Sequence, residues 1–286
     1  LVMPENHGIT LQAGPLRLAV RPDLGGSLAG LWHQGRPVLR STEPGLLAGP
    51  RQSACFPLLP YSNRLGHRGF TWQGQSYTTE PNFDDSPHSL HGVGWLRAWR
   101  VVQQTPHQLC LRYSHLPDGH WPFTFEAEQD ITLTPQALHL DLRLRNTDAR
   151  EQPVGLGWHP YFLQHDSSRL QVDVATRWER DPLMLPTHAT TQQGIDAPVR
   201  TLALDHCFGG WPGVAHIRDA QFALRLSSTL PYLVVFTPPG QPHFCVEPVG
   251  HVNNAIQHAD PASQGLLALA PGAVATASLT LDVEAL

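Results

Sequence analysis

Leu138-His139-Leu140-Asp141-Leu142-Arg143-Leu144-Arg145 places leucine at every even position and a polar residue at every odd one. A pleated strand turns successive side chains to opposite faces, so this stretch reads as a strand with one face in a core and one in water. The same period of two recurs along the chain. Ala277, Leu279, Leu281 and Val283 alternate with Ser278, Thr280 and Asp282. Phe125, Ala127, Ile131 and Leu133 oppose Glu126, Glu128, Asp130 and Thr132, with Gln129 breaking the pattern. Leu16–Val20 and Phe222–Leu226 fit the same template, and Tyr232–Phe236 is an unbroken apolar run, as expected of a strand covered on both faces. No amphipathic helix of ten or more residues is evident. The 27 prolines and 24 glycines fall mostly between the strand candidates as turn signals. The reading is therefore all-β, a large antiparallel β-sandwich forming a single domain over residues 1–286, with Asp181–Val199 predicted to be a long surface loop.

Composition limits the chemistry. All 19 basic residues other than histidine are arginine, so lysine Schiff bases, a pyridoxal-phosphate anchor and a P-loop lysine are excluded. Histidine is abundant, with 17 residues, and supplies proton transfer near neutral pH. A net charge of −5 without any basic run argues against a nucleic-acid surface. No apolar stretch reaches the roughly 18 residues of a membrane span. Leu1-Val2-Met3-Pro4-Glu5 lacks the basic and apolar regions of a signal peptide, and Met3 is expected to be the native start. Cys55, Cys110, Cys207 and Cys245 show no zinc-ligand spacing and are expected to be reduced and mostly buried, which suits a cytoplasmic enzyme.

Four patches set polar residues where strands meet turns. In Phe56–Gly66, Asn63 and Arg64 offer an amide and a five-donor guanidinium for hydroxyls or an oxyanion; a turn Asn beside a surface Arg is the plain alternative. In Ser89–Trp95, His91 precedes Gly92, which permits close backbone approach, and His88 with His91 also admits a metal reading. In Gly155–Phe162, His159 lies among aromatics before a strand-ending proline, an environment that suits a general acid as well as a satisfied core histidine. In Phe244–His251, period two puts Glu247 on the face of Cys245, opposite Phe244 and Val246. A carboxylate at the end of an apolar strand demands partners, so Glu247 is a candidate general base or a salt-bridged strand-end residue. Asp205, in Leu202–Phe208, is a fifth candidate.

The order of these motifs, Asn-Arg, His-Gly, Trp-His-Pro-Tyr-Phe, Leu-Asp-His-Cys-Phe and Val-Glu-Pro, resembles that of the aldose 1-epimerase (galactose mutarotase) family from about Arg51 to His258. The resemblance implies a galactose-mutarotase-type sandwich with a cleft on one sheet. It implies His159 as general acid, Glu247 as general base, and His91, Arg64 and Asp205, with Asn63 beside Arg64, as groups that hold the sugar. It further implies interconversion of the α and β anomers of a hexose such as galactose or glucose, with no cofactor and no metal, by a monomer or homodimer. Trp158 stands where galactose mutarotases often carry a small or polar residue, and the segment between the Asp and Glu motifs is short; both predict a reshaped pocket.

Four rivals differ in what they require. A hexose-6-phosphate epimerase needs a cationic pocket, for which Arg64, Arg68 and Arg97 are candidates. A sugar-binding module needs no matched acid and base. A cupin-like metalloenzyme would use His88, His91, His159 and Glu247. A glycoside hydrolase would oppose Asp205 and Glu247 and leave His159 without a role.

Overall fold

Leu138, Leu140, Leu142 and Leu144 all face the interior at no more than 1% exposure, while Asp141, Arg143 and Arg145 face solvent. The computed structural model describes residues 8–286. Leu1–Glu5, on which the leader and start-site readings rest, lies outside them. Among the described residues every strand pair within a sheet is antiparallel, and all helical segments are three-residue 3-10 turns.

Ala137–Asn146 sits in the middle of a nine-stranded sheet, between Phe125–Leu133 and Val274–Ala285. Leu140 is opposite Ile131 on one neighbour and Leu279 on the other, so the leucine row continues across the sheet. A second, eight-stranded sheet supplies the other half of the core. Its central strands are Asp205–Gly209, Tyr232–Phe236 and His243–Val249. Leu233, Val235, Phe244 and Val246 join the main core, whereas Val234, Cys207, Cys245 and Val249 belong to a separate apolar cluster on the opposite face. That second covering explains the unbroken apolar run at Tyr232–Phe236.

Gln129, the polar exception on the apolar face of its strand, points inward with Ala127 and Ile131 at 1% exposure. Its Oε1 accepts from Trp158 Nε1 at 3.0 Å and its Nε2 donates to the Gly26 carbonyl at 3.1 Å, so a polar side chain sits in the core with its groups satisfied. Asp181–Val199 is not one long loop. Pro186–Thr191 is an edge strand of the eight-stranded sheet, and Ile195–Pro198 an edge strand of the nine-stranded one. The first is mostly exposed, the second is buried only at Ile195, and they begin or end in proline, as edge strands tolerate, so neither carries a hydrophobic period. All four cysteines are free; Cys55, Cys207 and Cys245 are buried and Cys110 is half-buried. No helix among the described residues is long and apolar enough to cross a membrane.

Candidate active site

The second face of the eight-stranded sheet carries a cleft of about 370 Å³, within the usual range for small-molecule sites. His159 and Glu247 reach it from adjacent segments. Gly157 pairs with Val249 and Tyr161 with Cys245, so continuing that register sets position 159 across from 247. Pro160 interrupts the strand between Gly157–Trp158 and Tyr161–Leu163, and His159 occupies the break. Its Nε2 lies 3.5 Å from Glu247 Oε1.

The imidazole of His159 packs against two near-parallel rings, with centroids 4.7 Å from Phe56 and 4.6 Å from Tyr161, and His91 meets it edge-on at 5.3 Å. Both members of the pair are buried, His159 at 7% exposure and Glu247 at 2%. Among the described residues no group donates a conventional hydrogen bond to the Glu247 carboxylate, and His159 Nδ1 is buried without a partner. Burial pushes Glu247 well above the ordinary carboxylate value; the Asp205 carboxylate adds to the rise and Arg64 opposes it. Burial, aided by His91, pushes His159 well below the ordinary histidine value. In the empty cleft both groups therefore favour their neutral forms.

The remaining candidates converge on the same cleft. Asn63, Arg64, His91 and Asp205 all line it. Asn63 and His91 are locked together: His91 Nδ1 accepts from the Asn63 backbone N–H at 3.0 Å, and the His91 N–H donates to the Asn63 carbonyl at 2.9 Å. This fixes the His91 tautomer and leaves its Nε2–H as a donor; burial with nearby Arg64 lowers His91 to about 3, so it stays neutral. Gly92 is required here. Its φ is +69°, and a Cβ there would lie 2.0 Å from the Leu59 carbonyl oxygen. Asn63 Oδ1 accepts from the Arg64 backbone N–H at 2.9 Å and from its guanidinium at 3.3 Å. Asp205, first in its strand, is raised by burial, with Arg64 and Arg180 opposing.

Three readings of the sequence change. Trp158 does not reshape the cleft, because its ring is fully buried in the main core and bonded to Gln129. His88 does not line the cleft: its Nδ1 accepts from the His67 N–H and its Nε2 pairs with the Leu183 carbonyl. Of the three arginines proposed for a phosphate, only Arg64 lines the cleft; Arg97 is paired with Asp118 at 2.8 Å, and Arg68 reaches toward the Ser86 carbonyl.

The cleft also holds residues that no motif announced. Arg40 stacks on Tyr161 with its guanidinium carbon 3.6 Å from the ring centroid, and it donates to the Ser53 and Arg51 carbonyls. Arg51 lies over Phe83 at 3.9 Å and pairs with Asp84 at 2.9 Å. Neither Arg40 nor Arg64 has a carboxylate within 4.0 Å among the described residues. The one signal available for Arg40 was a cation directly after the apolar pair Val38-Leu39.

Comparisons with known proteins agree with this architecture. The chain is 34% identical over 295 residues to the uncharacterized Escherichia coli K12 protein YphB, covering 96% of this chain and 98% of that one. A crystal structure of a candidate aldose 1-epimerase from Escherichia coli K12 superposes with a TM-score of 0.87 at 31% identity, covering 98% of this chain and 99% of the other. A galactose mutarotase-like protein from Clostridium acetobutylicum gives a TM-score of 0.88 at 19% identity over 98% and 95%, a likeness of fold. The family model described as aldose 1-epimerase matches residues 7–282, and with the sandwich and its cleft this shows that the chain belongs to the aldose 1-epimerase family.

Proposed function

We propose that the whole chain acts as one mutarotase unit, interconverting the α and β anomers of a hexose such as galactose or glucose. The observation that carries this reading is the approach of His159 to Glu247 at the floor of a cleft whose walls offer hydroxyl-binding groups. Glu247 takes the proton of the C1 hydroxyl while His159 protonates the ring oxygen. The C1–O5 bond opens to the aldehyde, C1 turns, and reclosure on the other face reverses both transfers. Each positioned group contributes roughly 10²–10⁴-fold.

The pair works as a unit holding one proton. Burial rests that proton on Glu247 in the empty cleft, whereas the forward step needs it on His159. Arg64 favours the Glu247 carboxylate, and sugar hydroxyls donating to that carboxylate act in the same direction. Arg64, Asp205, Asn63 and the His91 Nε2–H hold the sugar.

A second reading, a hexose 6-phosphate as substrate, is favoured by one observation: Arg40 and Arg64 line the cleft and neither has a carboxylate within 4.0 Å among the described residues. Polarimetry on fresh α-galactose, α-glucose and α-glucose 6-phosphate tests both. Acceleration over the spontaneous rate with the neutral sugars supports the first reading, and acceleration with the phosphate alone supports the second. No acceleration with any of the three overturns the proposal.

A further inference from the structure

We propose that His159, Cys245 and Glu247 form a binding site for a thiophilic divalent cation, zinc above all, and that cation and sugar exclude one another from the cleft. The three side chains present one nitrogen, one sulfur and one oxygen within 4.8 Å of each other, and all three are buried. Cys245 and Glu247 stand two residues apart on the same face of His243–Val249, and the register brings His159 across from them. This nitrogen, sulfur and oxygen set suits zinc, for which bonds of about 2.0–2.3 Å are usual. Such bonds set tetrahedral ligands roughly 3.3–3.6 Å apart. The His159–Glu247 separation of 3.5 Å already matches, and the sulfur has about 1.5 Å to close at most.

A second observation points to a ligand at this place. Glu247 is 2% exposed and, among the described residues, only His159 Nε2 approaches its carboxyl group, at 3.5 Å, so ionising it is costly unless another group supplies positive charge or donors. A sugar hydroxyl meets that need in turnover, and a cation meets it otherwise. Cys245 does not line the cleft, so the fourth coordination position faces the opening on the side of His159 and Glu247. On binding, a metal–sulfur bond replaces the S–H bond, the proton leaves to solvent, and no electron is transferred. The cation then holds the lone pairs that proton transfer to and from sugar requires.

Only the exclusion of sugar rests on the mutarotase reading. The test therefore has an optical arm independent of turnover. Metal-free protein is titrated with Co²⁺; one equivalent is expected to give a thiolate-to-cobalt charge-transfer band, which Zn²⁺ displaces and saturating galactose suppresses. In the same protein Zn²⁺ is expected to inhibit mutarotation competitively with sugar. Cys245→Ser is expected to keep metal-free turnover, lose the band, and raise the inhibitory zinc concentration at least about tenfold, the lower end of what losing even an outer partner does to a metal site. Absence of the band, its survival in Cys245→Ser, or zinc inhibition that this variant does not relieve overturns the proposal. Should Cys245→Ser not fold, failure of galactose to suppress the wild-type band overturns it. If the chain does not turn sugar over, the band and its displacement by zinc still decide the metal site.

Discussion

Glu247 Oε1 and His159 Nε2 face each other at 3.5 Å across the gap that Pro160 opens in the eight-stranded sheet. Replacing either removes the unit rather than half of it. Glu247→Gln and His159→Asn are each expected to lower kcat for mutarotation by roughly 10²–10⁴-fold, with the double variant little worse than the poorer single. Polarimetry on freshly dissolved α-galactose reads this out. Near wild-type turnover in either variant removes the assignment.

The arginines separate by place. Arg64→Ala is expected to raise KM at least tenfold, since its guanidinium lines the cleft and interacts with Asp205 and Glu247. Arg97→Ala, which breaks only the ion pair with Asp118, is expected to leave KM within about twofold for neutral and phosphorylated hexoses alike. A large KM change in Arg97→Ala contradicts the placement.

Acid should weaken the fold before it reaches the carboxylate range. His251 accepts from the Ser62 N–H and donates to the Val252 carbonyl, and burial lowers it to about 4. His91 is lowered to about 3 in the same way. A histidine depressed on folding contributes stability that is present above its unfolded value near 6.5 and is lost as pH falls toward the folded value. Between pH 7 and pH 5 these two residues together are expected to remove about 4 kcal/mol, at about 1.4 kcal/mol per unit each below pH 6.5. Urea midpoints at the two pH values measure it; equal midpoints refute it.

Gln129→Ala leaves Trp158 Nε1 and the Gly26 carbonyl without their partner inside the core. Each such orphan costs about 1–3 kcal/mol, so a loss of about 2–6 kcal/mol is expected by urea unfolding. Trp158→Phe added to Gln129→Ala is expected to cost less than the sum of the singles, because the first change has already broken the bond.

Gly92→Ala is expected to be more severe than its size suggests, losing several kcal/mol or failing to fold, because the added Cβ meets the Leu59 carbonyl at a positive φ. Gly74→Ala, also at positive φ but with open space around it, is expected to cost only about 1 kcal/mol. Thermal midpoints of the two variants compare them.

Much of this arrangement was legible in the residues. The alternation at Leu138–Arg145 gave the inward face of a central strand, and the parity of His243–Val249 put Glu247 with Cys245 and away from Val246. Asn63, Arg64, His91, His159, Asp205 and Glu247, dispersed in sequence, line one cleft. What escaped reading depends on partners far along the chain. Arg40 is set beside Tyr161 by the bridge between Leu39 and Phe162, which no local pattern announces. Pro186–Thr191 pairs with Thr176–Arg180, but its own residues show no hydrophobic alternation that announces a strand. Gln129 stands out in the sequence as a polar residue on an apolar face, but the Trp158 and Gly26 groups that satisfy its amide inside the core lie far along the chain.

The two-sided burial of His243–Val249 has a consequence for how variation at this strand should be sorted. Phe244 and Val246 belong to the core between the sheets, whereas His243 and Glu247 line the cleft, with Cys245 buried beneath them. In a saturation scan scored separately for protein abundance and for sugar turnover, the even positions should be depleted in the first screen and the odd positions at the cleft mainly in the second. One strand thus carries two nearly independent selective pressures, interleaved residue by residue, and drift in sugar preference can proceed along one of them while the other stays fixed.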